Sequence, residues 1–422
     1  MRLLCLSNGH GEDAIAAQIL RPLQIHPQAP ELGALPLVGE GRPYTQLGIS
    51  LVGKTKIMPS GGFIMDKRQL WRDVRGGLLT LLWQQWSAIR SWRSSGGIIL
   101  AVGDLVPLLL AWLSGAKYYF VGTAKSEYYL RDEGGRLPNR PWWDGWSGSV
   151  YLPWERWLMT RPRCLGVFPR DSLTTQMLCD RGIKAFDLGN PMMDDLTING
   201  EITPELPEDR QSKLWLPQSL CLLLLPGSRP PEAYENWHLL VKSVTGCLQQ
   251  FSHQPLLFLA AIVPSLDLEI LRKTLVNHGW QTTKVQKEMG LTPTQQNLVF
   301  SSGQATLVLT QSGFKESVLR ADVAVAMAGT ATEQFVGLGK PAIAIPGAGP
   351  QYTYAFAEAQ TRLLGASLTL VKQPQQVGKA IYDLLQNADR LQIISENGRR
   401  RLGNPGAGAR IAECIMKESS LS

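Results

Sequence analysis

The chain has 422 residues, more than a single hydrophobic core normally supports, so we expect two or three domains. Hydrophobic residues make up 44% of the sequence and charged residues 18%, which excludes a disordered chain. The net charge is +7; eight Lys or Arg and two Asp lie between residues 54 and 97, which places six of these charges in one segment. The six cysteines are scattered without a CxxC pair and the five histidines lie far apart, so neither a disulfide framework nor a metal site is expected.

The first predicted element is a strand at residues 2–7, followed by a glycine turn and a helix over residues 14–20 that ends before Pro22. The turn reads Asn8-Gly-His-Gly-Glu-Asp13 and lacks the third glycine of the dinucleotide-binding fingerprint. A turn of this kind at the start of an α/β domain contacts a ligand or is a tight turn with an Asp cap. Its candidate ligand contacts are His10, Glu12 and Asp13.

A segment rich in Gly and Pro (residues 33–62) precedes a predicted amphipathic helix over residues 66–93. In this helix Leu and Trp alternate with Arg, as is typical of helices that lie on an anionic bilayer surface. Its tryptophans are Trp71, Trp83, Trp86 and Trp92. The alternatives are a helix packed on the sheet with a solvated basic face, and a nucleic-acid contact, for which no recognition motif is present. No nucleic-acid partner is therefore expected.

Residues 97–103 predict a buried strand that ends at Asp104. Ligands of open parallel sheets bind at the carboxyl ends of the strands, so Asp104 is a candidate general base or, alternatively, a helix cap. The apolar run at residues 105–113 contains Pro107 and is far shorter than the roughly 20 residues that span a bilayer. The apolar stretch at residues 1–6 is too short for a signal peptide, so we expect a cytoplasmic protein without a membrane span.

Strands are predicted at residues 117–121, 165–168 and 185–188, with a helix at 172–182. Between the first two strands, residues 126–164 form an insertion rich in Trp, Pro and Gly. Its aromatic surface suggests a lipid or partner contact, while filling of the core is the simpler alternative. The insertion contains Trp142, Trp143, Trp146, Trp154 and Trp157.

After a candidate linker at residues 196–216, the pattern restarts with a buried strand at 220–225 that enters Pro226-Gly-Ser-Arg229. Helices at residues 234–251, 266–277 and 314–320 alternate with strands near 255–262 and 306–309. A strand at residues 321–326 then enters Ala326-Met-Ala-Gly-Thr-Ala-Thr-Glu333 and a helix, and a further strand follows at 341–346. The unpaired N–H groups and the dipole at such a helix start favour an anion, and Thr330 and Thr332 are expected to cap the helix or donate to phosphate oxygens.

Two α/β halves of similar length, each with a glycine turn after its first strand, predict an α/β protein with two lobes and a cleft between them. We place the first lobe at residues 1–195, the linker at 196–216 and the second lobe at 217–404. Residues 405–422 are expected to form a C-terminal helix that packs back on the first lobe.

Four motifs of this chain resemble those of lipid A disaccharide synthase, in the same order and at similar spacing: residues 8–13, Gly189-Asn-Pro-Met-Met-Asp194, residues 225–229 and residues 328–333. The chain is also similar, more distantly, to the glycosyltransferase that adds N-acetylglucosamine to the lipid-linked peptidoglycan precursor. The resemblance implies the GT-B fold, an α/β architecture of two Rossmann-like lobes whose parallel sheets face a central cleft. The same resemblance implies an inverting transfer from a UDP-sugar to a lipid-linked or amphiphilic acceptor, with neither metal nor cofactor. It also implies a peripheral seat at the membrane, and a homodimer is one expected assembly.

The resemblance further implies roles for individual residues. Asp104 would be the base and Arg229 would neutralise the departing UDP, with His10 and Glu12 as further catalytic candidates. The donor would be bound by Gly227, Ser228, Arg229, Gly329, Thr330, Ala331, Thr332, Glu333 and Gln351, with Glu333 on the ribose and Gln351 near the sugar. The acceptor would be bound by Gly9, His10, Gly11, Asp13 and Asn190.

The departures from the family pattern fall in the first lobe, where Asn190 stands in place of a His. The acceptor therefore need not be a lipid A precursor. Two other classes remain open: a UDP-sugar 2-epimerase of the same fold, and a non-catalytic GT-B protein that binds a lipid or a partner.

Overall fold

The computed structural model describes residues 1–53, 78–138, 143–196, 219–283 and 297–420, and the chain divides into two compact units. Unit 1 comprises Met1–Asp195 and Gly403–Ser422, and unit 2 comprises Leu196–Leu402. Most of the linker predicted at residues 196–216 lies outside the described residues. Each unit is built around a largely parallel sheet covered by helices, so the predicted α/β architecture with two Rossmann-like lobes is confirmed.

Unit 1 contains a six-stranded parallel sheet in the order β3-β2-β1-β4-β5-β8. Its strands are β1 (Arg2–Ser7), β2 (Glu31–Pro36), β3 (Ser50–Leu51), β4 (Ile98–Gly103), β5 (Tyr118–Gly122) and β8 (Cys164–Phe168), and β6 (Arg131–Asp132) and β7 (Gly135–Arg136) form a separate hairpin. The helices are α1 (His10–Ile25), α2 (Arg42–Gln46), α3 (Leu78–Ser94), α4 (Leu105–Ser114), α5 (Pro153–Met159), α6 (Ser172–Cys179) and, at the end of the chain, α14 (Ala407–Ser420). The central strands β1, β4 and β5 are continuous apolar runs because helices cover both faces of a parallel sheet.

Unit 2 contains an eight-stranded sheet in the order β11-β12-β13-β10-β9-β14-β15-β16, in which β12 pairs antiparallel with both β11 and β13 and the other neighbouring strands pair parallel. The strands are β9 (Leu220–Leu225), β10 (Leu256–Ala261), β11 (Gln281–Thr283), β12 (Asn297–Ser302), β13 (Ala305–Thr310), β14 (Val323–Ala326), β15 (Ala342–Ala344) and β16 (Leu368–Leu370). The helices are α7 (Glu232–Gln250), α8 (Leu268–Asn277), α9 (Phe314–Arg320), α10 (Thr330–Gly337), α11 (Tyr354–Leu364), α12 (Val377–Leu385) and α13 (Ala388–Leu402).

Helix α1 differs from its prediction at both ends. It begins at His10 rather than at residue 14, and it continues through Pro22 to Ile25. The helix continues past the proline because its apolar face continues as well. Leu20 before Pro22 and Leu23 after it are both fully buried in the core of unit 1. The burial of this face outweighs the loss of one backbone hydrogen bond at Pro22.

The described part of the Gly- and Pro-rich segment at residues 33–62 contains strand β3 and most of strand β2. Gly33 lies inside β2, where a Cβ atom would come within 2.9 Å of the Trp92 ring. The glycine therefore makes room for a core tryptophan instead of marking a loop.

The same contact corrects one part of the prediction for the helix at residues 66–93, the lipid-facing role of Trp92. Trp92 is buried, packs against Gly33 and Gly97, and lies under the Arg2 guanidinium at 4.3 Å from the ring centroid. Trp92 thus belongs to the core of unit 1. Trp71 lies outside the described residues, as does the side chain of Trp83.

The C-terminal helix α14 packs against α1 in unit 1. The Asp194 carboxylate accepts hydrogen bonds from Gly406 N (2.7 Å), Ala407 N (3.1 Å) and Gly408 N (2.7 Å) at the start of this helix. A carboxylate at a helix N-terminus satisfies unpaired N–H groups and the positive end of the dipole. Asp194, near the end of the segment Met1–Asp195, therefore holds the N-terminus of α14 on unit 1. No helix in the described parts of the chain is both long and apolar enough to cross a bilayer.

Candidate functional site

Three loops of unit 2 follow the carboxyl ends of adjacent strands. Strands β9, β14 and β15 are neighbours in the sheet and run parallel, so the loops that leave them lie at one edge. These loops contain Pro226-Gly-Ser-Arg229, residues 327–332 and residues 346–352. The structure thus brings together the three segments in which the sequence predicts donor contacts.

The first loop approaches the second closely at Gly227. This residue has a φ of +93°, which favours glycine, and a Cβ atom would lie 3.2 Å from Met327 O. The side chain of Ser228 is exposed, while Arg229 is half-buried and its carbonyl accepts a hydrogen bond from Ala233 N at 2.9 Å. The loop therefore runs directly into helix α7.

The second loop starts helix α10 without a side-chain cap, since Gly329 occupies the cap position. Thr332 is buried; its hydroxyl donates to Ala328 O at 2.5 Å and its N–H donates to Gly329 O at 3.0 Å. The prediction that Thr332 caps the helix or contacts a phosphate is therefore wrong, because both of its donors are used inside the turn. Helix geometry leaves the first N–H groups, those of Thr330 and Ala331, without an intrahelical acceptor.

The third loop is held by a carboxylate that the sequence did not single out. Glu232, a buried residue at the start of α7, accepts hydrogen bonds from Gln351 N (3.1 Å) and Tyr352 N (2.6 Å) through Oε1. A Cβ atom at Gly349 would meet this side chain at 2.4 Å, and the loop closes through Gly347 N and Tyr352 O at 2.9 Å. An acid in the first turn of a helix normally indicates a dipole partner, so the sequence contains no signal for this tertiary role.

Asn236 lies between the first and third loops. It is 2% exposed, and its Nδ2 donates to Pro226 O at 3.0 Å. A Cβ atom at Gly347 would lie 2.8 Å from its Oδ1, and this oxygen has no hydrogen-bond partner in the described part of the chain. An unsatisfied buried acceptor costs about 1–3 kcal/mol, so a donor from a ligand or a water molecule is expected here.

The carboxyl edge of the unit 1 sheet carries the candidate acceptor residues. Strands β1 and β4 are neighbours, and a Cβ atom at Gly103 would lie 3.2 Å from the Asn8 side chain, so the turn at residues 8–13 and Asp104 share this edge. Asp104 caps helix α4, with Oδ1 accepting from Val106 N at 2.9 Å. Gly9 is buried, Gly11 is exposed and Glu12 is half-buried. The structure describes His10 only as the first residue of α1.

Asp13 lies beneath the turn and not on its surface. Its side chain is fully buried, Ser7 Oγ donates to its Oδ1 at 2.6 Å, and Tyr44 OH donates to Ser7 Oγ at 2.6 Å. Burial raises the pKa of Asp13 to about 7, which the hydrogen bond from Ser7 only partly opposes, and the nearby Glu12 charge raises it further. Asp13 was predicted to contact the acceptor, but in this structure its carboxyl is not at the surface of the turn.

We expect this buried carboxyl to make unit 1 less stable as the pH rises. In the unfolded chain Asp13 loses its proton near pH 4, whereas in the folded protein it keeps the proton up to about pH 7. Stability from Asp13 is thus fully present below pH 4 and is lost between pH 4 and 7, by up to about 4 kcal/mol. Urea unfolding at several pH values should show a smaller loss for Asp13→Asn than for the wild type. The exposed Asp195→Asn should follow the wild type, and identical pH profiles for all three proteins would contradict the assignment.

Asn190 has a structural partner in unit 1. It is buried, and its Oδ1 accepts from Met192 N at 3.1 Å in the short helical turn that leads to Asp194. The neighbouring Gly189 has a φ of +85° and packs against Arg410 of helix α14. The segment at residues 189–194 thus supports the C-terminal helix, while a contact of Asn190 with an acceptor stays a prediction.

No protein-family model matches this sequence, and no curated protein matches it. Solved structures, however, are similar over the whole chain. A Listeria monocytogenes protein described as a UDP-N-acetylglucosamine 2-epimerase has a TM-score of 0.59 at 13% identity, covering 100% of this chain and 97% of that chain. The UDP-GlcNAc 2-epimerase from Neisseria meningitidis bound to UDP-GlcNAc has a TM-score of 0.55 at 14% identity, covering 99% and 100%. MurG from Acinetobacter baumannii has a TM-score of 0.52 at 12% identity, covering 99% of each chain.

These similarities show the fold. The chain is an α/β protein with the GT-B fold, as predicted, and this fold is shared by UDP-sugar epimerases and by the glycosyltransferase MurG. The resemblance to lipid A disaccharide synthase rests on the four sequence motifs alone.

Proposed function

We propose that the protein is a UDP-sugar-dependent glycosyltransferase that binds its donor through the three loops of unit 2. The observation that carries this proposal is their convergence at one edge of the sheet, where the buried Oδ1 of Asn236, which has no hydrogen-bond partner among the described residues, lies beside Gly347. The GT-B fold supports it, and the Neisseria meningitidis neighbour was solved with UDP-GlcNAc. Gly227, Ser228 and Arg229 and the N-terminus of α10 would face the diphosphate, with Glu333 on the ribose and Gln351 at the sugar.

The proposed reaction is a direct displacement with inversion, without metal or cofactor. Asp104 takes the proton of the acceptor hydroxyl, the acceptor oxygen bonds to the anomeric carbon, and the bond from that carbon to UDP breaks. Asp104 Oδ1 accepts a hydrogen bond from Val106 N, which holds the carboxylate in one orientation and leaves Oδ2 to take the proton. Arg229 and the α10 dipole stabilise the negative charge on the departing UDP.

An exposed apolar face in unit 1 supports an amphiphilic acceptor and a peripheral seat at the membrane. On the outer side of α4, Val106, Leu109 and Leu113 are 41%, 38% and 47% exposed. The exposed Trp154 and Trp157 continue this face on α5, since Trp157 contacts Trp112 of α4 with ring centroids 5.2 Å apart. We call these side chains the α4–α5 face. The proposed lipid contact thus lies on α4 and α5, and the buried Trp92 takes no part in it.

Arginines border the α4–α5 face. The Arg161 guanidinium lies 4.3 Å from the Trp157 ring centroid, and those of Arg93 and Arg163 lie beside Gly115 at the end of α4. Exposed tryptophan and leucine next to arginine match the interface of a bilayer that contains anionic lipid.

The donor assignment is tested by thermal shift with UDP, UDP-N-acetylglucosamine, GDP-mannose and uridine. A ligand that binds the folded state raises the melting temperature, by an amount that corresponds to about 2.7 kcal/mol at 100 times its Kd. We expect both UDP compounds to stabilise the protein, and GDP-mannose to do so far less. The absence of a response to every uridine nucleotide would refute the donor assignment.

A UDP-sugar 2-epimerase is the second candidate, because two of the three similar structures described above are such epimerases. Incubation with UDP-N-acetylglucosamine alone separates the two reactions. An epimerase forms the isomeric nucleotide sugar without any acceptor, whereas a transferase needs an acceptor for turnover. If Asp104→Ala and Arg229→Ala leave the biological activity intact, a non-catalytic binding protein becomes the better description.

A further inference from the structure

Gln360 on helix α11 uses its whole side-chain amide on the donor loops of unit 2. It is 2% exposed, and its Nε2 donates to Ala328 O at 3.1 Å and to Gly329 O at 3.3 Å. Its Oε1 accepts a hydrogen bond from Tyr352 OH at 3.0 Å. One buried amide therefore holds two consecutive carbonyls of the second loop and the phenol of the third.

The two held carbonyls determine where the following N–H groups point. A trans peptide is planar, and its C=O and N–H point in opposite directions. Thr332 also donates to both carbonyls from inside the turn, through its hydroxyl to Ala328 O and through its N–H to Gly329 O, and Gln360 adds a donor to each of them from α11. The N–H groups of Gly329 and Thr330 therefore point away from α11. These two N–H groups belong to the helix start that the proposed function assigns to the donor diphosphate.

We infer that Gln360 is a positioning residue that aims the amides of Gly329 and Thr330 at the diphosphate of the nucleotide. This inference rests on the proposed function and names a residue that acts through the backbone without touching the ligand. Amides that are already oriented bind an anion without a further reorganisation cost. The N-terminus of α10 is thereby preorganised to bind an anion.

A hydrogen-bond chain extends this arrangement to the other two loops. Tyr352 links Gln360 to Glu232, because its phenol donates to Gln360 and its N–H donates to the Glu232 carboxylate. Glu232 begins α7 directly after the Arg229 loop, and Ala233 N is bonded to Arg229 O. The three loops are thus held in one relative arrangement by Gln360, Tyr352 and Glu232.

Glutamine suits this position for a chemical reason. The side-chain amide is neutral, donates one N–H to each of the two carbonyls and offers its oxygen to the Tyr352 phenol. Glutamate would supply no donor and would add a buried charge, and leucine would fill the space without any hydrogen bond.

The test compares the binding of UDP, pyrophosphate and uridine by calorimetry in full-length Gln360→Leu and wild type. We expect UDP and pyrophosphate to bind about 10- to 100-fold more weakly to the variant, and uridine to bind within about twofold of wild type. Uridine has no phosphate, so it reports on the nucleoside contacts alone. Tyr352→Phe removes only the phenol oxygen and should weaken UDP binding in the same direction by a smaller factor, which keeps the test open if Gln360→Leu does not fold.

Gln311→Leu is the matched control. Gln311 also donates to two backbone carbonyls of unit 2, Val263 O at 3.2 Å and Leu266 O at 2.8 Å, but in a different loop. We expect this variant to keep the wild-type affinity for UDP. An equal loss of UDP and uridine binding in Gln360→Leu would show a general structural role and overturn the inference, as would unchanged UDP binding. If the wild type binds neither UDP nor pyrophosphate, the proposed function fails and the inference fails with it.

Discussion

Replacing Arg229 by Ala is expected to lower the turnover of the UDP-sugar about 100- to 1000-fold. The guanidinium is the cation of the first donor loop, and it would stabilise charge that develops on UDP only as the bond to the sugar breaks. An interaction made mainly in the transition state affects kcat more than KM. The measurement is the release of UDP from UDP-N-acetylglucosamine, with a total lipid extract as the source of acceptor.

Two further variants of unit 2 show whether the loss of turnover is specific to the Arg229 guanidinium. Arg229→Lys keeps the charge without the planar fork of donors, so we expect it to recover part of the activity. Arg272→Ala removes an arginine that pairs with Glu269 on helix α8 and should leave turnover unchanged. If Arg229→Ala keeps half of the wild-type kcat, Arg229 does not stabilise the departing UDP.

Placing two acids on the α4–α5 face, as Leu109→Glu with Leu113→Glu, is expected to release the protein from anionic vesicles. Both side chains are exposed in unit 1, so the double variant should fold. Insertion of this face into a bilayer buries apolar area worth about 25 cal/mol per Å², and each glutamate adds a desolvation cost and repulsion from anionic headgroups. We expect the bound fraction in flotation with vesicles of phosphatidylcholine and phosphatidylglycerol to fall at least about tenfold.

The control for this experiment is Ile393→Glu, which changes an exposed apolar residue of unit 2 and should leave flotation unchanged. Arg161→Ala combined with Arg163→Ala tests the electrostatic part. Each arginine near an anionic surface contributes about 1 kcal/mol, so this pair should weaken binding at low salt and much less at high salt. Equal flotation of the wild type and the Leu109→Glu, Leu113→Glu variant would remove the α4–α5 face as the lipid contact.

The sequence was sufficient to predict the central strands and the glycine loops that follow them. Strands such as β1, β4 and β9 are short continuous apolar runs, and this composition follows directly from burial on both faces of a parallel sheet. A turn that follows such a strand and precedes a helix is likewise a local pattern. Two α/β lobes, each a set of these patterns, were therefore predictable, and the GT-B fold followed from the motif resemblance. Strands β11 and β12 were not predicted, because β11 is a polar strand of three residues and the apolar part of β12 is only three residues long.

Tertiary structure alone decided what individual side chains do. Trp92 appears in the sequence as part of a basic, aromatic stripe, yet it is buried because Gly33 and Gly97 make room for its ring. Gln360 lies 32 residues from Ala328, and Glu232 lies 120 residues from Tyr352, so no local pattern marks either side chain as part of the donor loops. Local sequence determines strands, helices and turns because their hydrogen bonds and periodicity are local. The partner of a buried polar side chain depends on which strands become neighbours in the sheet, and only the folded chain defines that.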